Sequence, residues 1–276
     1  VEDTYYNLTT SQSNTKTAAG AVNVNGDLTI NTGSTYSIGT STTTVTGTSD
    51  INGTTSISSG TYNADGLSDV DGTISITGTG KYDADAAFDA TNGNVTFTGA
   101  GRLECSNTVT SLGTLSTGAG TVEYDGGSQN VLADAYYNLE IDQSGTKTSQ
   151  GTVTVAGDMT VQSAATYAVA ATTTTVTGTS DINGTTSIST GTYNADGSSD
   201  VDGTISITGT GKYDADAAFD ATSGNVTFTG AGRLECSNTV TSLGTLSTGA
   251  GTVEYDGGTQ NVFADAYNNL EIDQSG

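Results

Sequence analysis

The feature that most constrains the fold is a tandem repeat with a spacing of 131 residues. The phrase YYNL at Tyr5 recurs at Tyr136, and YNNL follows at Tyr267. Residues 42–135 and 173–266 differ at only five positions, whereas the segments before them match less well. The expected boundaries are leading residues 1–4, repeat units 5–135 and 136–266, and the start of a third unit at 267–276.

Each repeat contains a shorter period that becomes visible when strand-like segments are aligned on their turns. The last strand of one segment alternates clearly, with Ile74 and Ile76 predicted inward and Thr73, Ser75 and Thr77 outward. The first apolar anchors of successive segments are Tyr36, Tyr62, Tyr82, Leu103 and Val122, and the next repeat restarts at Tyr167. The mean step is about 22 residues, within the range of solenoid repeats.

A short-strand period of this length predicts a solenoid, because one turn cannot bury its own apolar face and must stack on its neighbours. We therefore predict an all-β, parallel β-helix of about 22 residues per turn and about 12 turns. The crossover rule predicts a right-handed coil, continuous as one rod rather than divided into globular domains. The alternative is a string of antiparallel β-sandwiches of about 100 residues each, but the shorter period favours the solenoid.

Composition supports the fold class and narrows the function. Thr, Val, Ile and Tyr favour strands, Gly, Asn and Asp favour turns, and no apolar stripe has helical spacing. Thirty acidic residues against six basic ones give a net charge of −24, which disfavours nucleic acid and anionic membranes as partners. Since no apolar run approaches the ~18 residues of a membrane span, no membrane insertion is expected.

No catalytic activity is predicted. The chain has no His to activate a nucleophile, and its acidic clusters are duplicated with the repeat instead of being gathered at one irregular place. Cys105 and Cys236 occupy the same offset in the two repeats and are predicted to be buried thiols, the alternative being a bond to another chain. The basic residues are Lys16, Lys81, Arg102, Lys147, Lys212 and Arg233.

Closely spaced aspartates suggest a cation site. Stacked turns would bring carboxylates about 5 Å apart, and Ca²⁺ with several oxygen ligands would remove their repulsion. The alternative is that Asp and Asn shape the corners, as the NG and DG pairs suggest, and the spacing matches no EF-hand. The candidate metal ligands are Asp65, Asp69, Asp71, Asp83 and Asp85, with their copies Asp196, Asp200, Asp202, Asp214 and Asp216.

Threonine and serine alternate outward on one predicted strand of each turn, and flat hydroxyl arrays on solenoids can bind ice. We expect Glu140 and Asp142 to interrupt this face in each repeat, which disfavours ice binding. The predicted ladder comprises Thr54, Ser56, Ser58, Thr73, Ser75, Thr77, Asn94, Thr96 and Thr98.

The phrasing GTVEYDGGSQNVLADAYYNLEIDQSGTKT, followed by GTVTVAGDMTV, resembles the repeat regions of very large bacterial surface proteins, including hemagglutinin-like adhesins and extracellular filament proteins. The resemblance implies a secreted, cell-surface role that is fibrous or adhesive. We expect a structural module of a filament, stalk or surface fibre, with no required cofactor. Neither terminus carries an evident cap, so we expect either stacking of copies end to end or continuation within a longer chain. A module that binds surface glycans is the alternative, ahead of a polysaccharide-active enzyme or an ice-binding protein.

Overall fold

The computed structural model describes residues 2–116, 118–247 and 249–273, and its secondary structure is entirely β. Contacts divide the chain into two compact units, residues 1–129 and 130–276. Each unit is a parallel β-solenoid, with about 13 turns in the two units together. The predicted fold class is therefore confirmed. None of the described residues forms a helix long and apolar enough to cross a membrane.

The described residues of unit 1 form 19 complete strands of two to four residues each. Three strands make one turn, and every third strand joins the same sheet. The strands are β1 (Asp3–Tyr5), β2 (Leu8–Thr10), β3 (Thr15–Thr17), β4 (Val22–Val24), β5 (Leu28–Ile30), β6 (Thr35–Ile38), β7 (Thr42–Val45), β8 (Ser49–Ile51), β9 (Thr54–Ile57), β10 (Thr61–Ala64), β11 (Ser68–Val70), β12 (Thr73–Ile76), β13 (Lys81–Ala84), β14 (Phe88–Asp89), β15 (Asn94–Phe97), β16 (Arg102–Cys105), β17 (Val109–Ser111), β18 (Thr114–Ser116) and β19 (Thr121–Tyr124). Sheet 1A has the order β1-β4-β7-β10-β13-β16-β19, sheet 1B the order β2-β5-β8-β11-β14-β17, and sheet 1C the order β3-β6-β9-β12-β15-β18.

Unit 2 repeats this plan. Its strands are β20 (Gln129–Val131), which begins at the last residue of unit 1, β21 (Ala135–Tyr136), β22 (Asn138–Ile141), β23 (Gly145–Ser149), β24 (Val153–Val155), β25 (Met159–Val161), β26 (Ala165–Val169), β27 (Thr173–Val176), β28 (Ser180–Ile182), β29 (Thr185–Ile188), β30 (Thr192–Ala195), β31 (Ser199–Val201), β32 (Thr204–Ile207), β33 (Lys212–Ala215), β34 (Phe219–Asp220), β35 (Asn225–Phe228), β36 (Arg233–Cys236), β37 (Val240–Ser242), β38 (Thr245–Ser247), β39 (Thr252–Tyr255) and β40 (Asn269–Ile272). Sheet 2A has the order β21-β24-β27-β30-β33-β36-β39-β40, sheet 2B the order β22-β25-β28-β31-β34-β37, and sheet 2C the order β20-β23-β26-β29-β32-β35-β38.

Neighbouring turns are aligned residue by residue. One inward column of sheet 1A runs through Val22, Thr43, Tyr62, Tyr82, Leu103 and Val122. The predicted alignment of Tyr62, Tyr82, Leu103 and Val122 is thus confirmed, but Tyr36 belongs to sheet 1C, where it lies opposite Thr55. Turns are about 20 residues apart. The predicted spacing of about 22 residues per turn was too long, because Tyr36 was counted in the column of Tyr62, to which it does not belong.

The core combines aromatic stacking with buried hydroxyl groups. The rings of Tyr62 and Tyr82 stack with centroids 4.7 Å apart, and both side chains are fully buried. The Tyr62 hydroxyl donates to Ser49 at 2.8 Å, and that of Tyr82 donates to Ser68 at 2.9 Å. Because buried polar groups are costly without partners, the inward serines allow tyrosine to fill the core.

Glycine at the corners lets turns approach closely. A Cβ atom on Gly72 would overlap the carbonyl oxygen of Gly53 in the turn below. The Gly72 amide meanwhile donates to the carbonyl of Ile51 at 2.7 Å. The repeated NG and DG pairs therefore mark positions where main chain packs directly on main chain.

Candidate functional site

The outward side chains form three ladders, one on each kind of sheet. The charged ladder lies on sheets 1A and 2A and comprises Lys81, Asp83, Arg102, Glu104 and Glu123, with Lys212, Asp214, Arg233, Glu235, Glu254 and Glu271. The acidic ladder lies on sheets 1B and 2B and at their corners and comprises Asp50, Asp69, Asp71 and Asp89, with Asp181, Asp200, Asp202 and Asp220. The hydroxyl ladder lies on sheets 1C and 2C and comprises Thr54, Ser56, Thr73, Ser75, Asn94 and Thr96, with Thr185, Ser187, Thr204, Ser206, Asn225 and Thr227.

In the charged ladder of unit 1, each cation pairs with carboxylates of its own turn and of the next. The Nζ atom of Lys81 lies 2.9 Å from Asp83 and 2.7 Å from Glu104. Arg102 lies 3.9 Å from Glu104 and also pairs with Glu123. The ladder therefore links three successive strands of sheet 1A, namely β13, β16 and β19, through side chains as well as main chain.

Unit 2 reproduces the charged ladder and extends it by one strand. Lys212 lies 2.8 Å from Asp214 and 2.6 Å from Glu235. Arg233 pairs with Glu254 and lies 3.0 Å from Glu271, which is on β40. The ladder continues as far as the strand that opens the third repeat.

Lys81 stays charged in this arrangement. Burial lowers the pKa of Lys81, but its hydrogen bonds to Glu104 and Asp83 outweigh burial and raise that pKa to about 12. Burial raises the pKa of Glu104, and the neighbouring Lys81 counteracts this effect. Lys81 therefore remains protonated at neutral pH.

The acidic ladder has hydrogen-bond partners at its corners. Asn52 donates to Asp50 at 2.6 Å, and Asn92 donates to Asp71 at 3.0 Å. Burial raises the pKa of Asp69, and the nearby carboxylates of Asp71 and Asp50 raise it further. The hydrogen bonds from Asn52 and Asn92 agree with the interpretation that Asp and Asn shape the corners. The repulsion among the carboxylates around Asp69 is what a bound cation would relieve.

The predicted metal ligands do not converge on one point within a unit. Asp83 is paired with Lys81, and Asp69 lies opposite Asp50 on the neighbouring strand. Among the described residues of either unit taken alone, no three Cys, Asp or Glu side chains bring ligand atoms within 4.8 Å of one another. A cation at the predicted residues would thus have fewer than three of these carboxylates as ligands. The full predicted set is Asp65, Asp69, Asp71, Asp83 and Asp85 with Asp196, Asp200, Asp202, Asp214 and Asp216.

Calcium binding stays a prediction. Thermal melts with and without EDTA separate the two interpretations, because an ion that binds the folded chain raises the melting midpoint by an amount that grows with the logarithm of its free concentration above the dissociation constant. A midpoint that falls in EDTA would assign the aspartates to Ca²⁺. An unchanged midpoint would leave them as corner residues.

Two lysines point into the solenoid, and sequence reasoning missed this role. Lys147 is fully buried, and its Nζ atom donates to the carbonyl oxygens of Asp142 and Gln143, the latter at 2.8 Å. Lys16 makes corresponding bonds, including one of 3.2 Å to the carbonyl oxygen of Gln12. Gln12 and Gln143 have positive φ angles of 70° and 57°, which bend the corner toward the lysine. The alternation of the sequence could have predicted this role, because each lysine occupies the inward position of a strand with the sequence T-K-T.

The cysteines are buried free thiols, as predicted. Cys105 lies opposite Ala84 and Tyr124 in sheet 1A. Burial raises the pKa of the Cys105 thiol well above its usual value, and the nearby carboxylate of Asp125 adds to the shift. The thiol is therefore a core filler with little thiolate character.

The hydroxyl ladder is continuous and uncharged over the residues that define it. Thr54, Thr73 and Asn94 lie opposite one another on adjacent strands. The expectation that Glu140 interrupts this face is wrong. Glu140 lies on β22 in sheet 2B, opposite Thr160, while the hydroxyl ladder of unit 2 is on sheet 2C. Because every third strand joins the same sheet, Glu140 lies on a different face from the hydroxyl ladder.

Comparisons with known proteins gave no match that bears on these ladders. A scan against protein families, a search of curated proteins and a search of solved structures each found no match.

Proposed function

We propose that the chain is part of an extracellular filament, stalk or surface fibre built from tandem 131-residue β-solenoid repeats stacked end to end. The observation that carries the proposal is the pairing of β40 with β39 in sheet 2A, where Leu270 lies opposite Val253 and Glu271 opposite Glu254. The segment that opens a repeat is added as the next parallel strand of an existing sheet. Repeats that add in this way extend the stack without a new fold or interface.

The proposed role is mechanical, and its partner is another repeat, in the same long chain or in a second copy. Parallel main-chain bonding resists separation of neighbouring turns, and the buried tyrosine and aliphatic columns keep the turns in register. The charged ladder adds ion pairs along the same direction. The location at the cell surface rests on the resemblance of the repeat phrasing to bacterial surface proteins. The proposal involves no catalytic step and requires no cofactor.

Electron microscopy of chains with two, four and eight repeats tests this proposal. At about 20 residues per turn and about 4.8 Å between strands, each added repeat should lengthen the particle by roughly 30 Å at constant width. Particles that grow in width instead of length, or that stay short and discrete at every repeat number, would reject the filament. Negative staining at several concentrations also tells one long chain from stacked copies, because only stacking depends on concentration.

The hydroxyl ladder supports a second candidate, a module that binds neutral glycans at a surface. Thr73 and Ser75 belong to an uncharged face on a chain of net charge −24, where a neutral ligand would meet hydrogen-bonding groups without carboxylates. Glycan-array binding that is lost in Thr73→Lys but kept in the matched Asp69→Lys would favour this candidate. No binding to any array member would leave the filament proposal alone. Turnover of an acidic polysaccharide or inhibition of ice growth would instead point to the two remaining alternatives.

A further inference from the structure

The corners of each repeat contain aspartate and asparagine residues that are followed directly by glycine. Such pairs carry a reactivity of their own, because the main-chain nitrogen of an unhindered glycine can attack the side-chain carbonyl carbon of the residue before it. The aspartates in Asp-Gly pairs are Asp65, Asp71, Asp125, Asp196, Asp202 and Asp256, and the asparagines in Asn-Gly pairs are Asn25, Asn52, Asn92 and Asn183. Which pairs react in the folded chain depends on how firmly each glycine amide is held.

One Asp-Gly pair in each repeat has its glycine amide bonded closely to a neighbouring turn. The Gly72 amide donates to the carbonyl oxygen of Ile51 at 2.7 Å, and the Gly203 amide donates to that of Ile182 at 2.7 Å. The glycines of the Asn-Gly pairs donate to carbonyl oxygens at 2.5, 2.8, 2.9 and 2.9 Å, and they are Gly26, Gly53, Gly93 and Gly184. A hydrogen bond of this kind holds the nitrogen in place and must break before the nitrogen can attack.

A second Asp-Gly pair in each repeat is held by a glutamine side chain. The Oε1 atom of Gln129 accepts a hydrogen bond from the Gly126 amide at 2.7 Å. Its Nε2 atom donates to the carbonyl oxygens of Cys105 at 2.8 Å and Asn107 at 2.5 Å, which fixes the side chain in the corner. Gln260 makes the corresponding bonds in unit 2.

The aspartate of this second pair is also engaged. The Ser106 hydroxyl donates to the carboxylate of Asp125 at 3.0 Å, and the Ser237 hydroxyl donates to that of Asp256 at 2.9 Å. At this corner the attacking nitrogen and the carboxylate are therefore both bonded to other groups.

The remaining Asp-Gly pair in each repeat is held less closely. The amide nitrogen of Gly197 lies 3.4 Å from the carbonyl oxygen of Val176, which is longer than an ordinary N–H···O bond. The same oxygen accepts from the Asp196 amide at 2.9 Å, so it is already well satisfied. In unit 1, the Asp65 amide takes the carbonyl oxygen of Val45 in the same way, at 2.9 Å. Both aspartate side chains at these corners are exposed.

We propose that Asp65 and Asp196 are the sites at which the folded chain isomerises its own main chain, while the other Asp-Gly and Asn-Gly pairs are protected. In the first step the nitrogen of Gly66 forms a bond to the Cγ atom of Asp65, and the amide hydrogen and the carboxyl hydroxyl group leave together as water. Water then opens the succinimide ring. Attack at Cγ restores aspartate, and attack at the main-chain carbonyl carbon gives isoaspartate, whose main chain runs through Cβ and Cγ.

The product lengthens the main chain at a corner that has no spare room. Asp65 directly follows β10, and a Cβ atom on Gly66 would lie only 2.2 Å from the carbonyl oxygen of Gly47 in the turn below. One more carbon atom between sheets 1A and 1B therefore disturbs the register of this turn with its neighbour. In a long-lived fibre, the reaction would limit the lifetime of each repeat. That consequence rests on the proposed function, whereas the reaction itself requires no fibre.

Peptide mapping of the whole folded chain after incubation near neutral pH tests the proposal. Electron-transfer fragmentation in the mass spectrometer distinguishes isoaspartate from aspartate at each position. Isoaspartate at positions 65 and 196 should accumulate about tenfold faster than at Asp71 and Asp202, the factor expected for one closer hydrogen bond. Equal rates at the two kinds of corner, or faster reaction at Asp71 and Asp202, would overturn the proposal.

The same chain unfolded in urea is the control for local sequence. There the Asp-Gly pairs should react at similar rates, and the Asn-Gly pairs should react faster than any of them, because the amide of asparagine is attacked without first being protonated. The folded chain should reverse this order, with Asp196 reacting before Asn183. A preference for Asp65 and Asp196 that persists in urea would belong to the sequence and would overturn protection by the fold.

The two copies provide their own control for the glutamine. Gln129→Ala should speed isoaspartate formation at Asp125 by about tenfold and leave Asp256 unchanged, and Gln260→Ala should do the reverse. An unchanged rate at Asp125 in Gln129→Ala would overturn the protective role of the side chain.

A last variant identifies the reacting group. Asp65→Glu replaces the five-membered ring of the intermediate with a less easily formed six-membered ring, so no isomerised product should appear at position 65. Asp196 in the same molecule should react at its usual rate. Chains that form short particles in the microscope but isomerise at Asp65 and Asp196 would keep this proposal and reject the filament. Fibres with equal reaction at every Asp-Gly pair would do the opposite.

Discussion

Two consecutive turns of unit 1 share the same three-strand plan but bury their core side chains to different extents. In the turn of β13 to β15, Tyr82 is fully buried, stacks on Tyr62 and bonds to Ser68. In the turn of β16 to β18, Leu115 on the last strand is only half-buried. Since solenoid stability is a sum of each turn and its nearest-neighbour contacts, a regular repeat does not imply uniform stability. The repeat therefore contains strong and weak turns at fixed places.

The largest expected effect on stability comes from replacing a core side chain in each of the two turns. Tyr82→Ala should cost about 3–5 kcal/mol of unfolding free energy, because it removes a buried ring and leaves Ser68 without its hydrogen-bond donor. Leu115→Ala should cost about 1 kcal/mol, since only part of the side chain is buried. Urea unfolding followed by circular dichroism measures both. The copies Tyr213→Ala and Leu246→Ala are matched controls, and equal losses at the two positions would contradict the difference between the turns.

The next effect concerns the charged ladder where it links β16 to β19. Arg102 on β16 pairs with Glu123 on β19, and the Glu123 side chain is only 8% exposed. Arg102→Gln should cost about 1–2 kcal/mol, less than a fully buried pair because the arginine itself is about one-third exposed.

Arg102→Lys gives the control for this prediction. It keeps the charge but loses the planar donor fork, so it should recover part of the lost stability. A loss from Arg102→Gln that disappears in high salt would mean that the pair contributes only as a screened surface interaction.

Much of the fold could be predicted from the sequence because repeated strands align on their turns. The column of Tyr62, Tyr82, Leu103 and Val122 followed directly from that alignment. The position assigned to Tyr36 in this column was not predicted correctly. That position belongs to Thr43, whose polar side chain is expected at the surface. Thr43 is buried beside the Tyr36 hydroxyl, 2.9 Å away. Polar residues that serve tyrosine hydroxyls in the core are invisible to apolar periodicity.

The functional features were less predictable for a similar reason. The carboxylates were recognised as stacked, but the pairing of Asp83 with Lys81 requires knowing that adjacent columns alternate in charge. The hydrogen bonds of the Gln129 side chain to Gly126, Cys105 and Asn107 gave no signal, because a single glutamine has no spacing to interpret.

A smaller effect is expected at a buried hydroxyl group that, unlike the other core hydroxyls described above, has no hydrogen-bond partner. The Oγ1 atom of Thr55 is buried and has no hydrogen-bond partner, and the same holds for Thr186 in unit 2. Thr55→Val should therefore stabilise the chain by about 1 kcal/mol, since it removes an unsatisfied polar group and keeps the shape. Thr43→Val is the contrasting control, because its hydroxyl bonds to Tyr36 and its loss should destabilise. Thermal melts that show the same sign for both variants would contradict this assignment.

The smallest expected effect is electrostatic and distinguishes the acidic ladder from the charged one. Burial and the neighbouring aspartates raise the pKa of Asp69, so the folded chain binds this proton more tightly than the unfolded chain. Its contribution to stability is therefore gained as the pH falls from neutral toward the ordinary aspartate value of about 4, and is lost again as the pH rises. The melting midpoint should rise slightly between about pH 7 and about pH 4.5, because Asp69 is exposed and solvent screens its neighbours. Asp69→Asn should raise the midpoint at neutral pH and flatten this rise. A midpoint that falls steadily on acidification would instead mean that the ion pairs of the charged ladder dominate the pH dependence, and that the two ladders are not electrostatically distinct.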